Sequence, residues 1–454
     1  MKHIETDIGF YKKLITIAFP VAMQSVIMVG VNLIDTIMLG KLGETALSAS
    51  SLANQFIVLF IFMCMGISMG ASVLTGRFWG ARDMVSLKKV VTIAYRIGLG
   101  IALFFTVINF AFARQIMGFY SDEAPVVQAG TIYLRWSTAT FLLMSMNTVS
   151  TNVIRSVGVN HISFIASLCS FFVNISANYV LIFGKFGFPE MGVAGAALGT
   201  VIARIVEAAI MCIYVFRVDQ KLRYRIKDLF GKCADMLQEF LRISIPVMLS
   251  DSLLGIGESV LAVIMGHIGS QFVAANAITG VVQRLSTIFI SGMAHAGCII
   301  TTQTLGTKDV EAAKRQGTTM LLIGTIVGIL AAGFITMLKT PVINSYNITD
   351  DTKQIAHQLM NAISFIVVFR SANTILAKGV LRGGGDTKFL VYADTSLMWL
   401  IAIPLGAAAG LWLKLPSFWI YTCLYSDQIL KAVWCLYRLR SGKWIKKIQG
   451  VKRT

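Results

Sequence analysis

The sequence has few charged residues, and this scarcity decides the class of protein. Only 14% of its 454 residues are Asp, Glu, Lys or Arg, whereas 56% are hydrophobic and the mean hydropathy is +0.72. A soluble fold of this length could not bury so much apolar surface, and the same composition excludes intrinsic disorder. A bilayer accepts many apolar segments of about 20 residues, provided that each pairs its own backbone groups within a helix. The composition therefore predicts an all-α polytopic membrane protein.

Residues that carry enzyme chemistry are also scarce. The seven cysteines are scattered and form no CxxC pair, and the five histidines never approach HExxH spacing. Neither a disulfide scaffold nor a catalytic zinc site is expected from these patterns. No GxxxxGK[ST] phosphate loop occurs, so ATP-driven transport by this chain alone is not expected. We predict a protein that is not an enzyme and needs no cofactor.

Apolar runs long enough to span a bilayer occur twelve times. They start near Leu14, Leu47, Val90, Ile132, Ile162, Met191, Phe240, Phe272, Gln316, Ile355, Phe389 and Pro416. Connections on one side of the membrane collect 27 Lys and Arg, against 7 on the other. The positive-inside rule therefore places both termini in the cytoplasm. We expect the protein in the inner or plasma membrane of the cell. It also accounts for the net charge of +18 without a nucleic-acid partner.

The two halves of the chain repeat each other with a constant shift of 226 residues. Matched pairs are Pro20 with Pro246, Gly40 with Gly266, Gly66 with Gly292, Gly80 with Gly306 and, after one inserted residue, Arg155 with Arg382. With six helices per half, equivalent helices run in the same direction, so a transport pathway between two pseudo-symmetric lobes is expected. The predicted regions are an amino-terminal lobe (1–216), a basic cytoplasmic linker (217–239), a carboxyl-terminal lobe (240–440) and a basic cytoplasmic tail (441–454).

Polar residues inside apolar helices are costly and usually face a cavity or one another. In the first half, Asp35 is a candidate proton or cation acceptor, and the alternative is a structural carboxylate. Asn174 and Asn178 are four residues apart and therefore share a helix face, from which they could ligate a cation, bond to Asp35 or join helices. We interpret Arg204 and Glu207, three residues apart, as a structural pair.

The second half offers more carboxylates. Asp251 and Glu258 lie on one face of the seventh segment. Asp394 lies ten residues before Pro404, which should distort its helix. Arg370 is a candidate counter-ion for Asp394 or Glu258. Three further features are interpreted as structural: an Asp427–Lys431 pair, a Gly383–Asp386 cap and turn, and Arg382 at the cytoplasmic interface.

A resemblance to a known family rests on motifs that occur in order along the chain. These are Pro20, NLIDTIMLGKLG at 32–43, SANYVLIFGKFGFPEMGVAGAALGT at 176–200, the turns that begin at Gly80 and Gly306, and VLRGGGDTKF at 380–389. Together they resemble multidrug and toxic compound extrusion (MATE) transporters, which are relatives of lipid-linked oligosaccharide flippases. The resemblance extends from about residue 10 to about residue 440.

The resemblance implies a twelve-helix, two-lobed, V-shaped secondary antiporter. Such a protein exports cationic or amphipathic organic compounds in exchange for sodium ions or protons, and we expect a monomer surrounded by membrane lipids. It implies a cation or proton site built from Asp35, Asn174, Asn178 and Thr200. In some branches of the family, an aspartate stands where this chain has Asn178. The implied site of this chain therefore has one carboxylate instead of two, which puts proton coupling in doubt.

A second site in the carboxyl-terminal lobe is predicted from the residues themselves. Asp251, Glu258, Asp394 and Arg370 are its candidates, for substrate or for a second cation. In the NorM-type branch of the family, a sodium site uses a glutamate of the seventh helix and an aspartate of the tenth. This chain cannot be assigned that site, because the glutamate aligns nearer Leu254 and the aspartate has no equivalent in residues 370–373.

Two other functions remain open from the sequence. A flippase for lipid-linked precursors would need basic residues in its cavity, for which Arg204 and Arg370 are the intramembrane candidates. A polytopic membrane transferase would need clustered acids or histidines at a membrane surface, and the loops are short and poor in acids.

Overall fold

The computed structural model describes residues 4–346 and 348–446, and within them the chain is helical, without a β-strand. The helices are α1 (Ile8–Gly40), α2 (Glu44–Gly80), α3 (Met84–Tyr120), α4 (Ala124–Trp136), α5 (Thr140–Ser156), α6 (His161–Phe183), α7 (Gly192–Ile213), α8 (Ala234–Ile268), α9 (Ser270–Gly306), α10 (Val310–Asn344), α11 (Asp350–Thr374), α12 (Thr387–Leu397), α13 (Ile403–Ala407), α14 (Ser417–Leu424) and α15 (Ser426–Arg440).

Ten of the twelve predicted segments are continuous helical stretches long and apolar enough to cross a membrane in the described part of the chain. The fourth is divided into α4 and α5 by a 3₁₀ turn at Ser137–Ala139, and the twelfth into α14 and α15 at Tyr425. The distortion predicted near Pro404 is confirmed, because π-helical turns at Met398–Ala402 and Ala408–Trp412 flank α13. The twelve-helix membrane fold is thus confirmed, with two interrupted segments.

The internal repeat is visible in the backbone of two equivalent turns. Arg82 and Lys308 both adopt left-handed conformations, with φ of 57° and 66°, although neither is glycine. Each turn ends in an aspartate that caps the following helix: Asp83 accepts a bond from the Ser86 amide at 3.0 Å, and Asp309 accepts one from Ala312 at 2.9 Å. The 226-residue shift therefore relates single hydrogen bonds as well as whole helices.

Backbone contacts divide the chain into two compact units. The amino-terminal unit holds Met23–Trp79 and Asp83–Met248, and the carboxyl-terminal unit holds the described chain up to Ala22, residues 80–82 and the described chain from Leu249. The divisions inside α1 and α8 follow Pro20 and Pro246, which the repeat makes equivalent. The compact units thus differ from the predicted regions in these two half-helices, in residues 80–82 and in the predicted linker, which belongs to the amino-terminal unit.

Glycines let the two half-helices pack closely within their units. In the amino-terminal unit, a Cβ on Gly66 of α2 would collide with the backbone of Met248 in α8. In the carboxyl-terminal unit, a Cβ on Gly292 of α9 would lie 2.7 Å from the carbonyl oxygen of Ala18 in α1. Because Gly66 and Gly292 are equivalent in the repeat, both units use the same backbone approach.

Each unit has an apolar core that fixes the helices around its polar residues. In the amino-terminal unit, Phe60 of α2 and Phe141 of α5 meet edge to face with ring centres 5.0 Å apart, and Phe105 of α3 packs beside both. In the carboxyl-terminal unit, α11 is central and contacts α9, α10, α14 and α15. Polar side chains on α11 and α15 are therefore held by packed neighbours.

The segment predicted as a linker is folded onto α3. Asp228 accepts a bond from Lys88 Nζ at 2.9 Å, and the fully buried Tyr224 shares a hydrogen bond of 2.8 Å with Thr92. Arg96 donates to the carbonyl oxygens of the segment at Leu229 and Gly231. Burial raises the pKa of Tyr224 to about 12. The segment is therefore anchored to the amino-terminal unit along most of its length.

This anchoring should weaken on acidification. Partial burial opposes the ionisation of Asp228, but the bonds from Lys88 and from the Arg225 amide outweigh it and hold the pKa of Asp228 below its usual value. A depressed pKa contributes stability above the unfolded pKa, and this is lost as the pH falls through the folded pKa. Asp228→Asn should therefore lower stability near neutral pH by no more than about 1 kcal/mol, since the pair is partly exposed.

Melting temperatures of the two proteins across the acidic range would check this prediction. The difference between wild type and Asp228→Asn should shrink as the pH falls. An equal difference at every pH would show that the charge of Asp228 does not contribute. Asp350→Asn, at a side chain 98% exposed, is the matched control.

The start of the predicted tail is docked rather than free. Trp444 is fully buried, its Nε1 donates to the Leu439 carbonyl at 3.2 Å, and its ring covers Gly384, where a Cβ would collide with it. Arg438 and Lys446 both pair with Asp386, at 2.6 Å and 3.4 Å. The predicted turn at Gly383–Asp386 is confirmed, and its Gly384 also packs against the Trp444 ring.

Candidate functional site

The first-half candidates come together in the amino-terminal unit. Asp35 on α1 accepts a hydrogen bond of 2.6 Å from Asn178 Nδ2 on α6, and the same amide group lies 3.4 Å from Asn174 Oδ1. Asn174 and Asn178 are 2% and 1% exposed, and Asp35 is half-buried. Thr200 follows on α7, where its hydroxyl donates to the Ala196 carbonyl at 3.0 Å. Of the alternatives open for the two amides, the structure shows a bond to Asp35 from Asn178, while Asn174 contacts Asn178.

The approach of α6 to α7 depends on Gly199. A Cβ at this position would collide with Asn178 Oδ1, so any larger residue would push the amide away from Asp35. Asn178 Oδ1 is buried and has no hydrogen-bond partner among the described residues. Because nearly all buried polar atoms are bonded, this oxygen is an available ligand or acceptor.

The chemistry of the Asp35 group suits a small hard cation. Carboxylate and amide oxygens are the ligands preferred by such cations, and Asp35, Asn174 and Asn178 supply both types. Protonation of Asp35 would neutralise the group equally well. No basic side chain of the described residues lies within 4.0 Å of the Asp35 carboxylate, so Asp35 forms no ion pair, although the charge of Arg204 acts on it from farther away.

A second polar group in the amino-terminal unit is a closed network. Arg204 and Glu207 form an ion pair at 2.6 Å, as predicted. Glu207 also accepts a bond of 3.0 Å from Ser167, which in turn accepts one of 2.6 Å from Gln24. Arg155 donates to Gln24 and completes the chain of contacts. The network holds two guanidinium groups and one carboxylate, and its hydrogen bonds join four helices, which suits a structural role.

The carboxyl-terminal unit contains an equivalent network with more charge. Asp394 on α12 accepts hydrogen bonds from Ser250 and from Lys431, and all three side chains are buried. Asp251 pairs with Arg382 at 3.1 Å and with Lys378 at 3.6 Å. Two carboxylates therefore face three basic groups.

The repeat relates these two networks position by position. The equivalent pairs are Gln24 with Ser250, Arg155 with Arg382, Ser167 with Asp394 and Arg204 with Lys431. A basic residue is thus retained at two positions in each unit. The carboxylate lies on α7 in the amino-terminal unit, whereas the carboxyl-terminal unit has one on α8 and one on α12.

The four predicted residues of the second site do not form one group. Asp251 and Asp394 belong to the buried network with Lys431. Glu258 instead lies 3.8 Å from Arg370 and accepts a hydrogen bond of 3.4 Å from Tyr425. The Glu258 side chain is 49% exposed. Arg370 is therefore the counter-ion of Glu258, and not of Asp394.

One of the structural interpretations is wrong, and a second residue has a partner that was not foreseen. Lys431 pairs with Asp394 rather than with Asp427, because a contact across helices replaces the expected contact along one helix. Arg382 is 3% exposed and pairs with Asp251, so its side chain is buried inside the unit. The internal repeat could have indicated that Arg382 and Lys431 are buried network residues. The shift that matches Arg155 with Arg382 also matches Arg204 with Lys431.

Comparisons of sequence agree along almost the entire chain. A family model described as MatE matches residues 20–180 and 246–408. The chain is 23% identical over 434 residues to the uncharacterized transporter YisQ of Bacillus subtilis, covering 96% of this chain and 95% of the relative. It is 26% identical over 444 residues to the probable multidrug resistance protein NorM of Thermotoga maritima, covering 96% and 93%.

Comparisons of structure agree on the fold. A solved outward-facing multidrug resistance MATE family transporter of the MOP superfamily superposes with a TM-score of 0.86 at 18% identity, covering 97% of this chain and 99% of that one. A MOP superfamily transporter from Pyrococcus furiosus, for which reverse polarity of the binding pocket suggests a different function, gives the same TM-score, identity and coverage. At this identity, the likeness describes the fold alone.

Proposed function

Since the chain belongs to the MatE family and is a membrane transporter rather than an enzyme, we propose that it is a secondary antiporter for organic compounds. It exports cationic or amphipathic molecules in exchange for sodium ions or protons. Names of relatives such as the probable multidrug resistance protein NorM support this class of cargo.

The observation that carries the proposal is the unpaired charge of Asp35. The carboxylates of Glu207, Asp251 and Asp394 each have a basic partner within 4.0 Å, whereas Asp35 has only an amide. A charge at membrane depth without a partner is costly, so binding a proton or sodium ion at Asp35 is favourable. A site that needs a mobile cation is suited to energy coupling.

The proposed mechanism is alternating access. The driving ion binds at Asp35 from the outside, and its occupancy disfavours binding of the organic compound, so that uptake of one expels the other. A ligand changes such an equilibrium only by its different affinity for the two states. Asn174, Asn178 and Thr200 position the ion, with Asn178 Oδ1 as a ready ligand.

For the organic compound, the second predicted site remains part of the proposal. Of its members, Glu258 has the most exposed carboxylate, which lies 3.8 Å from Arg370. It accepts a bond from Tyr425, whose ring centre is 4.7 Å from that of Tyr421. Carboxylates beside aromatic rings attract organic cations. Arg370 is then the charged neighbour of this substrate site, whereas Asp251 and Asp394 remain in the separate buried network.

We further propose that the protein is a monomer in the cell membrane with both termini in the cytoplasm. The distribution of Lys and Arg supports this orientation. Among the basic groups on the cytoplasmic side are Lys88 and Lys89, which hold Asp228 and Asp235 of the folded linker.

Transport in reconstituted vesicles tests the function. Efflux of ethidium, a fluorescent organic cation, is recorded while a sodium gradient or a proton gradient is imposed separately. We expect one of the gradients to drive ethidium transport, and that gradient identifies the coupling ion. If folded protein responds to neither gradient, organic-cation antiport is wrong, and a lipid-linked precursor becomes the cargo to assay.

A further inference from the structure

The folded linker lies at the edge of the membrane. On α3, Arg96 and Arg114 enclose a stretch, 97–113, that contains no charged residue. The two arginines are about 27 Å apart along the helix, which matches the thickness of the hydrocarbon core of a bilayer. Arg96 therefore lies where the core meets the lipid headgroups. Because Arg96 donates to the linker carbonyls of Leu229 and Gly231, the linker is held at the level of the headgroups.

The acidic side chains of the linker are all bonded to the protein itself. Asp219 is 1% exposed and accepts hydrogen bonds from two backbone amides. The other three acids each have a basic side chain within 4.0 Å: Asp228, Asp235 and Glu239. The amino-terminal unit thus uses every carboxylate of the linker for its own contacts.

Most of the basic side chains of the linker, by contrast, are turned towards the surroundings. Leu222 and Tyr224 are fully buried, so their neighbours Lys221 and Arg223 point away from α3. Five basic residues of the linker are exposed and have no carboxylate within 4.0 Å among the described residues: Arg217, Lys221, Arg223, Lys227 and Lys232. These five residues form the basic linker face.

Exposed apolar side chains lie among these basic residues in the chain. Phe230, Ile226 and Val218 are 77%, 61% and 55% exposed. Phe230 lies between the two residues whose carbonyls Arg96 binds, so it is placed where the hydrocarbon core begins. Charge alone would suit a soluble acidic partner, but exposed aromatic and aliphatic side chains beside lysines and arginines are typical of surfaces that enter the bilayer interface.

We propose that the basic linker face binds anionic phospholipids of the cytoplasmic leaflet. Its lysines and arginines pair with the lipid phosphates, while Phe230 and Ile226 enter between the lipids. The inference goes beyond the proposed function, because it concerns neither the organic compound nor the coupling ion. It uses the proposed orientation only to name the leaflet.

Photo-crosslinking of the purified full-length protein in vesicles tests the proposal. Phosphatidylglycerol and phosphatidylcholine, each with the same photoreactive group in an acyl chain, are added in separate samples, and labelled peptides from 217–239 are quantified by mass spectrometry. The linker variant removes three exposed charges from the basic linker face: Lys221→Gln, Lys227→Gln and Lys232→Gln. The matched control removes three exposed charges on the predicted outer side of the same unit: Lys41→Gln, Arg114→Gln and Lys185→Gln.

In wild type and in the control, phosphatidylglycerol should label the linker about fivefold more than phosphatidylcholine does, because basic groups at the membrane surface attract anionic lipids. In the linker variant, the two lipids should label it almost equally. An unchanged preference in the linker variant overturns the proposal. An equal loss of preference in the control overturns it as well, since overall charge would then be the cause.

Phe230→Ser tests the apolar contact while it keeps every charge. Labelling of the linker by both lipids should fall about twofold or more, with the preference for phosphatidylglycerol retained. Unchanged labelling would show that the linker does not enter the interface, which contradicts the proposal. Because all the replaced side chains are exposed, the variants should fold, and their melting temperatures check this.

A soluble partner is the other occupant to be tested. If wild type shows no preference for phosphatidylglycerol but binds fluorescent polyglutamate, the basic linker face docks an acidic protein and the proposal is wrong. No ion gradient or organic compound is present in these samples. The result therefore stands or fails separately from the proposed antiport.

Discussion

Asp35→Asn is expected to reduce gradient-driven efflux to the rate of protein-free vesicles. Asparagine has the shape of aspartate and retains an oxygen that accepts the bond from Asn178, so the packing of α1 against α6 is preserved. The change removes only the charge that attracts a sodium ion or proton. Without that charge, the driving ion has no greater affinity for one state than for the other, and coupling is lost.

The measurement is ethidium efflux from vesicles that carry equal amounts of wild-type or variant protein. Melting temperature in detergent establishes that the variant is folded. Asp350→Asn, which removes an exposed carboxylate, should transport at the wild-type rate. Full activity of Asp35→Asn would exclude Asp35 from energy coupling.

Lys431→Met is expected to destabilise the carboxyl-terminal unit by about 3–5 kcal/mol, the usual cost of removing one partner of a buried ion pair. Lys431 is 5% exposed and Asp394 is 4% exposed, so the carboxylate left behind has no access to water. Ser250 supplies a remaining hydrogen bond to Asp394, but no charge. Thermal unfolding in detergent should show the loss as a lower melting temperature.

Two double variants distinguish the partner of Lys431. Lys431→Met with Asp394→Leu removes both charges and should recover most of the stability, because apolar replacements of buried pairs are often neutral or better. Lys431→Met with Asp427→Asn should recover none, since Asp427 does not contact Lys431. Equal recovery in both double variants would contradict the observed pairing.

Spacing along one helix predicted some contacts correctly and others wrongly, for a physical reason. Arg204 and Glu207 pair as their spacing of three residues indicates. Asp427 and Lys431 are four residues apart, yet Lys431 turns to Asp394 on another helix. Inside a membrane lobe, a long side chain reaches a neighbouring helix as easily as the next turn of its own, so local spacing does not decide the partner.

The sequence by itself determined the membrane class, the helical segments and the repeat. These follow from hydropathy, length and matched positions, which are properties of the linear chain. Only the tertiary structure decided which charges are neutralised. Lys431 and Arg382 cancel Asp394 and Asp251, whereas Asp427 is left with amides, because partners from distant segments become neighbours only when the helices pack.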